Sequence, residues 1–126
     1  MEKTGKIYDL EERTLAFARN IRSFVKKLSK TLINMEDSKQ LLRSSGSVGA
    51  NYIEANESLS KKDFLLRIKI CRKEAKESRY WLLLIDTGGD ATVEKCRGDL
   101  VQEATELTSI FGAIMRKKRI ERVHST

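Results

Sequence analysis

Apolar residues return every three or four positions from about residue 10 to 32: Phe17, Ile21, Phe24, Leu28 and Leu32. That spacing predicts an amphipathic helix with one buried stripe. A second helix is predicted over about 37–57, with Leu41, Ser45, Val48, Tyr52 and Ala55 facing the core. The turn around Asn34 is short, so the second helix should return antiparallel to the first. Ser60 and Asp63 stand immediately before an apolar run, the arrangement of an N-cap and an acid in a first turn. They open a third helix, about 61–86, which Gly88-Gly89 breaks. Asp90 caps a fourth, about 90–119, with Val93, Cys96, Leu100, Ala104, Leu107, Phe111 and Ile114 on its inner stripe. The expected fold is therefore all-α, one domain over 1–126, an up-down-up-down antiparallel four-helix bundle. The chain is expected to fray from about Glu121.

Two helices carry more than a core stripe. On the second, Gln40, Ser44, Ser47, Asn51, Glu54 and Ser58 form a line of small or polar residues, where a solvated face would be rich in Lys and Glu. Gly46 and Gly49 interrupt the same helix, and a mid-helix glycine costs about 1 kcal/mol relative to alanine. Either a neighbouring helix comes close there or weak helix formers are simply tolerated. On the third helix, Phe64, Ile68, Cys71, Ala75, Ser78, Leu82 and Ile85 are the core stripe. Leu66, Ile70, Trp81 and Leu84 lie about 130–160° away from it. A monomeric bundle needs one apolar stripe per helix, so this second set is a candidate subunit interface.

Charge changes the picture further. Lys and Arg number 25 against 18 Asp and Glu, a net charge of +7, which favours polyanionic partners. The excess is patterned: Lys69, Arg72, Lys76 and Arg79 step along one side of the third helix, and Arg116, Lys117, Lys118, Arg119 and Arg122 gather near the C-terminus. The start of the fourth helix is acidic instead. Contacts from such cations to phosphates would be weakly sequence-specific and salt-sensitive. No aromatic interleaving or nucleic-acid motif accompanies them.

The residues of catalysis are sparse. The single histidine, His124, lies at the C-terminal tail, so neither a Ser-His-Asp nor a Cys-His arrangement is expected. No Glu-x-x-His pair for a di-iron bundle and no glycine-rich phosphate loop occurs. Cys71 and Cys96 occupy apolar positions and read as free thiols, while disulfide geometry cannot be taken from sequence. Glu54, Glu74 and Glu77 are candidates for partial burial, with Arg43, Arg67 and Lys73 available to pair with them. The expectation is a non-enzyme with no metal and no cofactor. The longest apolar run, Trp81 to Ile85, is far short of the roughly 20 residues of a membrane span. The N-terminus lacks a signal-peptide core, so a cytoplasmic protein with no membrane contact is expected.

The segment Gln40, Arg43-Ser44-Ser45, Ser47, Asn51, Glu54-Ala55 and Lys62-Asp63-Phe64, followed by Lys73-Glu74, Glu77-Ser78 and Tyr80-Trp81-Leu82, resembles the signature of the four-helix-bundle family encoded by intervening sequences in bacterial large-subunit rRNA genes. The same family includes the accessory variability determinant of diversity-generating retroelements. The resemblance spans about Tyr8 to Arg119. It implies a homopentameric barrel with a basic surface. For retroelement members it further implies binding to nucleic acid and to a reverse transcriptase. The chain departs from the family at Glu54-Ala55-Asn56, where Glu-Gly commonly follows the Asn; Asn56 is then expected to adopt a left-handed backbone conformation.

Two functions follow as expectations. The first is an oligomeric, basic accessory protein that binds RNA or DNA through Lys69, Arg72, Lys76, Arg79 and the Arg116–Arg119 cluster. The second is a protein–protein scaffold without nucleic-acid binding. In both, Gln40, Ser44, Ser47, Asn51 and Glu54 serve to fix how the second helix meets its neighbours.

Overall fold

A computed structural model describes the backbone of residues 9–124 and the side chains of 9–120. Four helices, α1 (Leu10–Lys26), α2 (Leu32–Asn56), α3 (Lys61–Leu84) and α4 (Ala91–His124), account for nearly all of it, and there is no strand among the described residues. Each helix packs on the next in sequence, most extensively α2 on α3 and α3 on α4, and α4 closes back on α1. Neighbours run antiparallel. Thr14 of α1 lies against Gly49 of α2, Ser44 of α2 meets Ser78 of α3 at 2.9 Å, and Arg79 of α3 reaches Thr105 of α4 at 3.1 Å.

The core is the sum of the four inner stripes. Phe17, Ile21, Leu41, Val48, Ile68, Leu82, Leu107 and Phe111 are fully buried, and Tyr52 crosses from α2 to α4 with its ring 6.0 Å from that of Phe111. Cys71 sits in this core, and its burial pushes the thiol up to about 12; Cys96 is half-buried, and both are free.

The α1–α2 junction departs from the sequence expectation. Helix α1 ends at Lys26, and α2 already begins at Leu32, which is 76% exposed rather than part of the α1 stripe. Thr31 is the N-cap, its hydroxyl accepting from Asn34 N at 3.1 Å. Asn34 is buried inside the first turn of α2. Its amide donates to Ser29 O and Asp86 O, and its carbonyl accepts from Asp86 N. One side chain thus satisfies the backbone of two loops at the same end of the bundle.

The other helix ends follow local chemistry. Ser60 caps α3 through Asp63 N at 3.1 Å, and Asp90 caps α4 through Thr92 N and Val93 N. Gly88 and Gly89 both have positive φ, which allows the sharp reversal between α3 and α4. Arg97, on the first turns of α4, donates to the last carbonyls of α3, those of Leu82, Leu83 and Ile85. Asn56 is not left-handed: it is the last residue of α2, no described non-glycine residue has positive φ, and its amide donates to Glu11 Oε2 at 2.9 Å. Helix α4 continues past Arg119 to His124.

A charged clasp joins α1 to α4. Arg13 donates to both oxygens of Glu103 at 2.8 Å and to Glu106 at 2.8 Å. The guanidinium is held firmly protonated, first by its hydrogen bond to Glu103, against the cost of burial. The Glu106 carboxyl falls below its ordinary 4.5, first through the Gln102 amide and then through Arg13, with burial opposing. A carboxyl depressed on folding stabilises the protein fully above its unfolded value and loses that contribution as pH falls through the folded one. Arg13→Met should therefore lower stability by about 1–2 kcal/mol at pH 7. It should also flatten the loss of stability below pH 4.5. Urea titrations at pH 7 and pH 3.5 measure both; equal destabilisation at the two pH values would contradict it.

Candidate nucleic-acid interface

Helix α3 sorts its charges by side. Its acids turn toward α2, where Arg43 donates to Glu74 at 3.2 Å and to Glu77 at 2.9 Å. Glu74 is 6% exposed, so this pairing is what makes a carboxylate acceptable there. Of the other two expected partners, Arg67 binds Asn51 Oδ1 at 2.9 Å instead of an acid, and Lys73 is exposed and forms no ion pair among the described residues; Glu54 is exposed. The bases Lys69, Arg72, Lys76 and Arg79 are all exposed and lie on a different side. Arg79 Nε donates to Thr105 Oγ1 of α4, which places Arg79 at the α3–α4 seam, while Lys69 and Lys76 stand on the outward face beside it.

Helix α4 supplies the other wall. Arg116, Lys117 and Arg119 are exposed and Lys118 is half-buried, its ammonium 5.5 Å from the ring centre of Phe64 at the start of α3. Arg122 lies outside the residues whose side chains are described. Arg72 and Arg116 come together over Gly112. A Cβ built on that glycine would lie 3.5 Å from Arg72 Nε and 3.4 Å from Arg116 Nη1. The structure thus brings the stripe of α3 and the C-terminal cluster of α4 into one basic band.

The acids of α4 whose side chains are described are engaged elsewhere. Glu103 and Glu106 pair with Arg13 on α1, Asp99 with Lys95 and Glu94 with Arg97. Among the described residues, Lys69, Arg72, Lys76 and Arg116 form no ion pair. Thr105 and Thr108, on α4, are uncharged and satisfy their hydroxyls on their own helix. Unpaired cations along a seam raise the local potential where a phosphate chain would lie.

The second apolar set on α3 is not uniform. Leu66 and Leu84 are 55% and 50% exposed and Tyr80 and Leu83 stand exposed with them. Ile70 is half-buried. Trp81 packs against the core and edge-on to Tyr80, because its indole reaches over the α3 surface rather than outward. Leu66 and Ile70 share a shallow depression with Lys69, Arg72, Lys73, Lys76 and one acid, Glu77, so the apolar face and the basic band adjoin.

The polar line on α2 is divided too. Ser44 is buried and paired with Ser78, Asn51 with Arg67, while Ser47 gives its carbonyl to Asn51 Nδ2; Gln40 and Glu54 face solvent. Ser44, Asn51 and Arg43 thus meet α3. What the sequence did not signal is Gly112 between two arginines, or Gly49 in contact with Thr14. Among the described residues, no group of three or more His, Cys, Asp and Glu side chains is placed to hold a metal ion. No described helix is long and apolar enough to cross a membrane.

A family model described as 23S rRNA-intervening sequence protein matches residues 8–113. The chain is also similar to a crystal structure of a protein of unknown function from the S23 ribosomal protein family of Bacteroides thetaiotaomicron. The two are 30% identical and superpose with a TM-score of 0.73 over 85% of this chain and 98% of the other. No curated protein matches the chain.

Proposed function

Because this chain belongs to the family of 23S rRNA-intervening sequence proteins, we propose that it acts as a non-enzymatic, oligomeric accessory protein that binds the phosphate backbone of RNA or DNA along the α3–α4 seam. The observation that carries this reading is the segregation of charge. Glu74 and Glu77 are drawn to Arg43 on one side of α3, and Glu103 and Glu106 to Arg13 on the far side of α4. Among the described residues, Lys69, Arg72, Lys76 and Arg116 form no ion pair, and Glu77, which borders the same depression as the three α3 bases, is held by Arg43. A surface whose bases merely kept the protein soluble would intersperse both signs.

The exposed side chains Leu66, Tyr80 and Leu84 support self-association, and the family resemblance supports five copies around an axis. Repetition of the band by symmetry would multiply the phosphates one strand can touch. A reverse transcriptase as protein partner follows from the resemblance alone.

Light scattering and fluorescence anisotropy test the proposal together. The expected molar mass is five times the 14.4 kDa chain, with binding of a fluorescent single-stranded RNA in about 0.1 M salt that fades steeply as salt rises. A monomer at micromolar concentration overturns the assembly. An RNA signal indistinguishable from that of an inert protein overturns the binding and leaves the protein-scaffold role.

A further inference from the structure

The basic band contains one place unlike the rest. Gly112 is buried in α4, and the space its missing side chain leaves is bordered by the Arg72 stem and Nε from α3 and by Arg116 Nη1 from its own helix. A Cβ built there would stand in van der Waals contact with both arginines, at 3.4–3.8 Å, so the two side chains border one point of the seam. Two like charges held side by side repel, more strongly at a partly buried seam than in bulk water. Among the described residues neither arginine has a carboxylate to offset this. Arg79, about two turns farther along α3 than Arg72, has its Nε committed to Thr105, so Arg72 and Arg116 are the pair whose donors remain available.

We propose that Arg72 and Arg116, brought together over Gly112, form a seat for a single phosphate group, which fixes the position of a nucleic-acid strand along the seam. The guanidinium fork suits it: each arginine presents several N–H donors in a plane and matches phosphate oxygens two at a time, which a lysine does not. A bound phosphate offsets the repulsion between the two cations. Lys69, Lys76, Lys117 and Arg119 then act as a diffuse field on the flanking phosphates. The seat rests on the seam reading above but differs from it in a measurable way, because two residues serve one contact.

The test is a double-mutant cycle on wild-type oligomer and full-length variants, with single-stranded RNA as one probe and inorganic phosphate, against chloride at equal ionic strength, as the other. Arg72 and Arg116 are exposed side chains, and the thermal melt of each variant checks its fold. Arg72→Gln and Arg116→Gln are each expected to weaken RNA binding about tenfold and to flatten the salt slope by about 0.7, one phosphate of a single strand. The double variant should be little worse than either single one, while Lys69→Gln with Lys76→Gln should be additive. Phosphate should raise the wild-type melting temperature and fail to do so in both single variants. Additive losses at Arg72 and Arg116 overturn the seat and leave the seam reading standing. Phosphate stabilisation that both arginines govern, without RNA binding, overturns the seam reading and keeps the seat for a free phosphate. Phosphate stabilisation indifferent to either arginine overturns the seat.

Discussion

A chain carrying glutamine at Lys69, Arg72, Lys76 and Arg79 will bind single-stranded RNA about 100- to 1,000-fold more weakly than wild type in about 0.1 M salt. The figure follows from counterion release. Each phosphate contact on a single strand contributes about 0.7 to the slope of log affinity against log salt, so four lost contacts flatten the slope by roughly three. The substitutions remove four of the seven net positive charges, and net charge alone weakens attraction to a polyanion. A second variant separates the two effects: Arg19, Lys26, Lys30 and Lys39, all exposed and lying on α1, α2 or the loop between them, changed to Gln. It carries the same net charge. Salt titrations of both should give a much smaller loss for the second variant. Equal losses would mean that the band has no special standing and that attraction is a property of the whole surface.

Gly49→Ala will destabilise the fold by about 1–3 kcal/mol, although alanine is the better helix former. The new Cβ would lie 2.9 Å from Thr14 Oγ1 and 3.2 Å from Thr14 Cβ. Thr14 cannot step aside easily. It is buried, β-branched, and its hydroxyl is tied to Leu10 O at 2.7 Å, so α1 itself must move off α2. Gly46→Ala, three residues earlier on the same helix, meets only Arg22 Nη2 at 3.7 Å. It should stabilise by about 0.5–1 kcal/mol. Chemical denaturation of the two single variants decides between a close helix approach and mere tolerance of glycine. Thr14→Ala combined with Gly49→Ala should recover part of the loss, and a stabilising Gly49→Ala would contradict the packing.

Four helices are legible in the periodicity because each buried stripe is long enough to override its neighbours. Ser60 and Asp90 mark the starts of α3 and α4 because a cap is a local event between a side chain and the next amides. The start of α2 is not legible in the same way. Leu32 continues the α1 spacing from Leu28, and only the burial of Asn34 against Asp86, a residue 52 positions away, decides that the helix breaks between them. Gly49 is visible as an oddity, but the sequence does not say which helix approaches it.

The candidate site shows the same division. The basic stripe of α3 and the C-terminal cluster are evident as residues, and their merging is not. An antiparallel pair folded about Gly88-Gly89 sets α4 against α3 only to within a turn of helix, and a shift of one turn would move Arg72 off Arg116. Likewise, the pairing of Glu74 and Glu77 with Arg43, and of Glu103 and Glu106 with Arg13, is a matter of tertiary geometry. The apolar set on α3 was legible as a face, yet Trp81 is partly buried against the core while Leu66 and Leu84 remain outside.

Photo-crosslinking of the wild-type protein to a 4-thiouridine RNA, with the attached peptides identified by mass spectrometry, tests the seam most directly. The account predicts crosslinks within residues 64–79 and 105–120 and few on the outer faces of α1 and α2. Crosslinks concentrated on α1 and α2, or none above background, would contradict it.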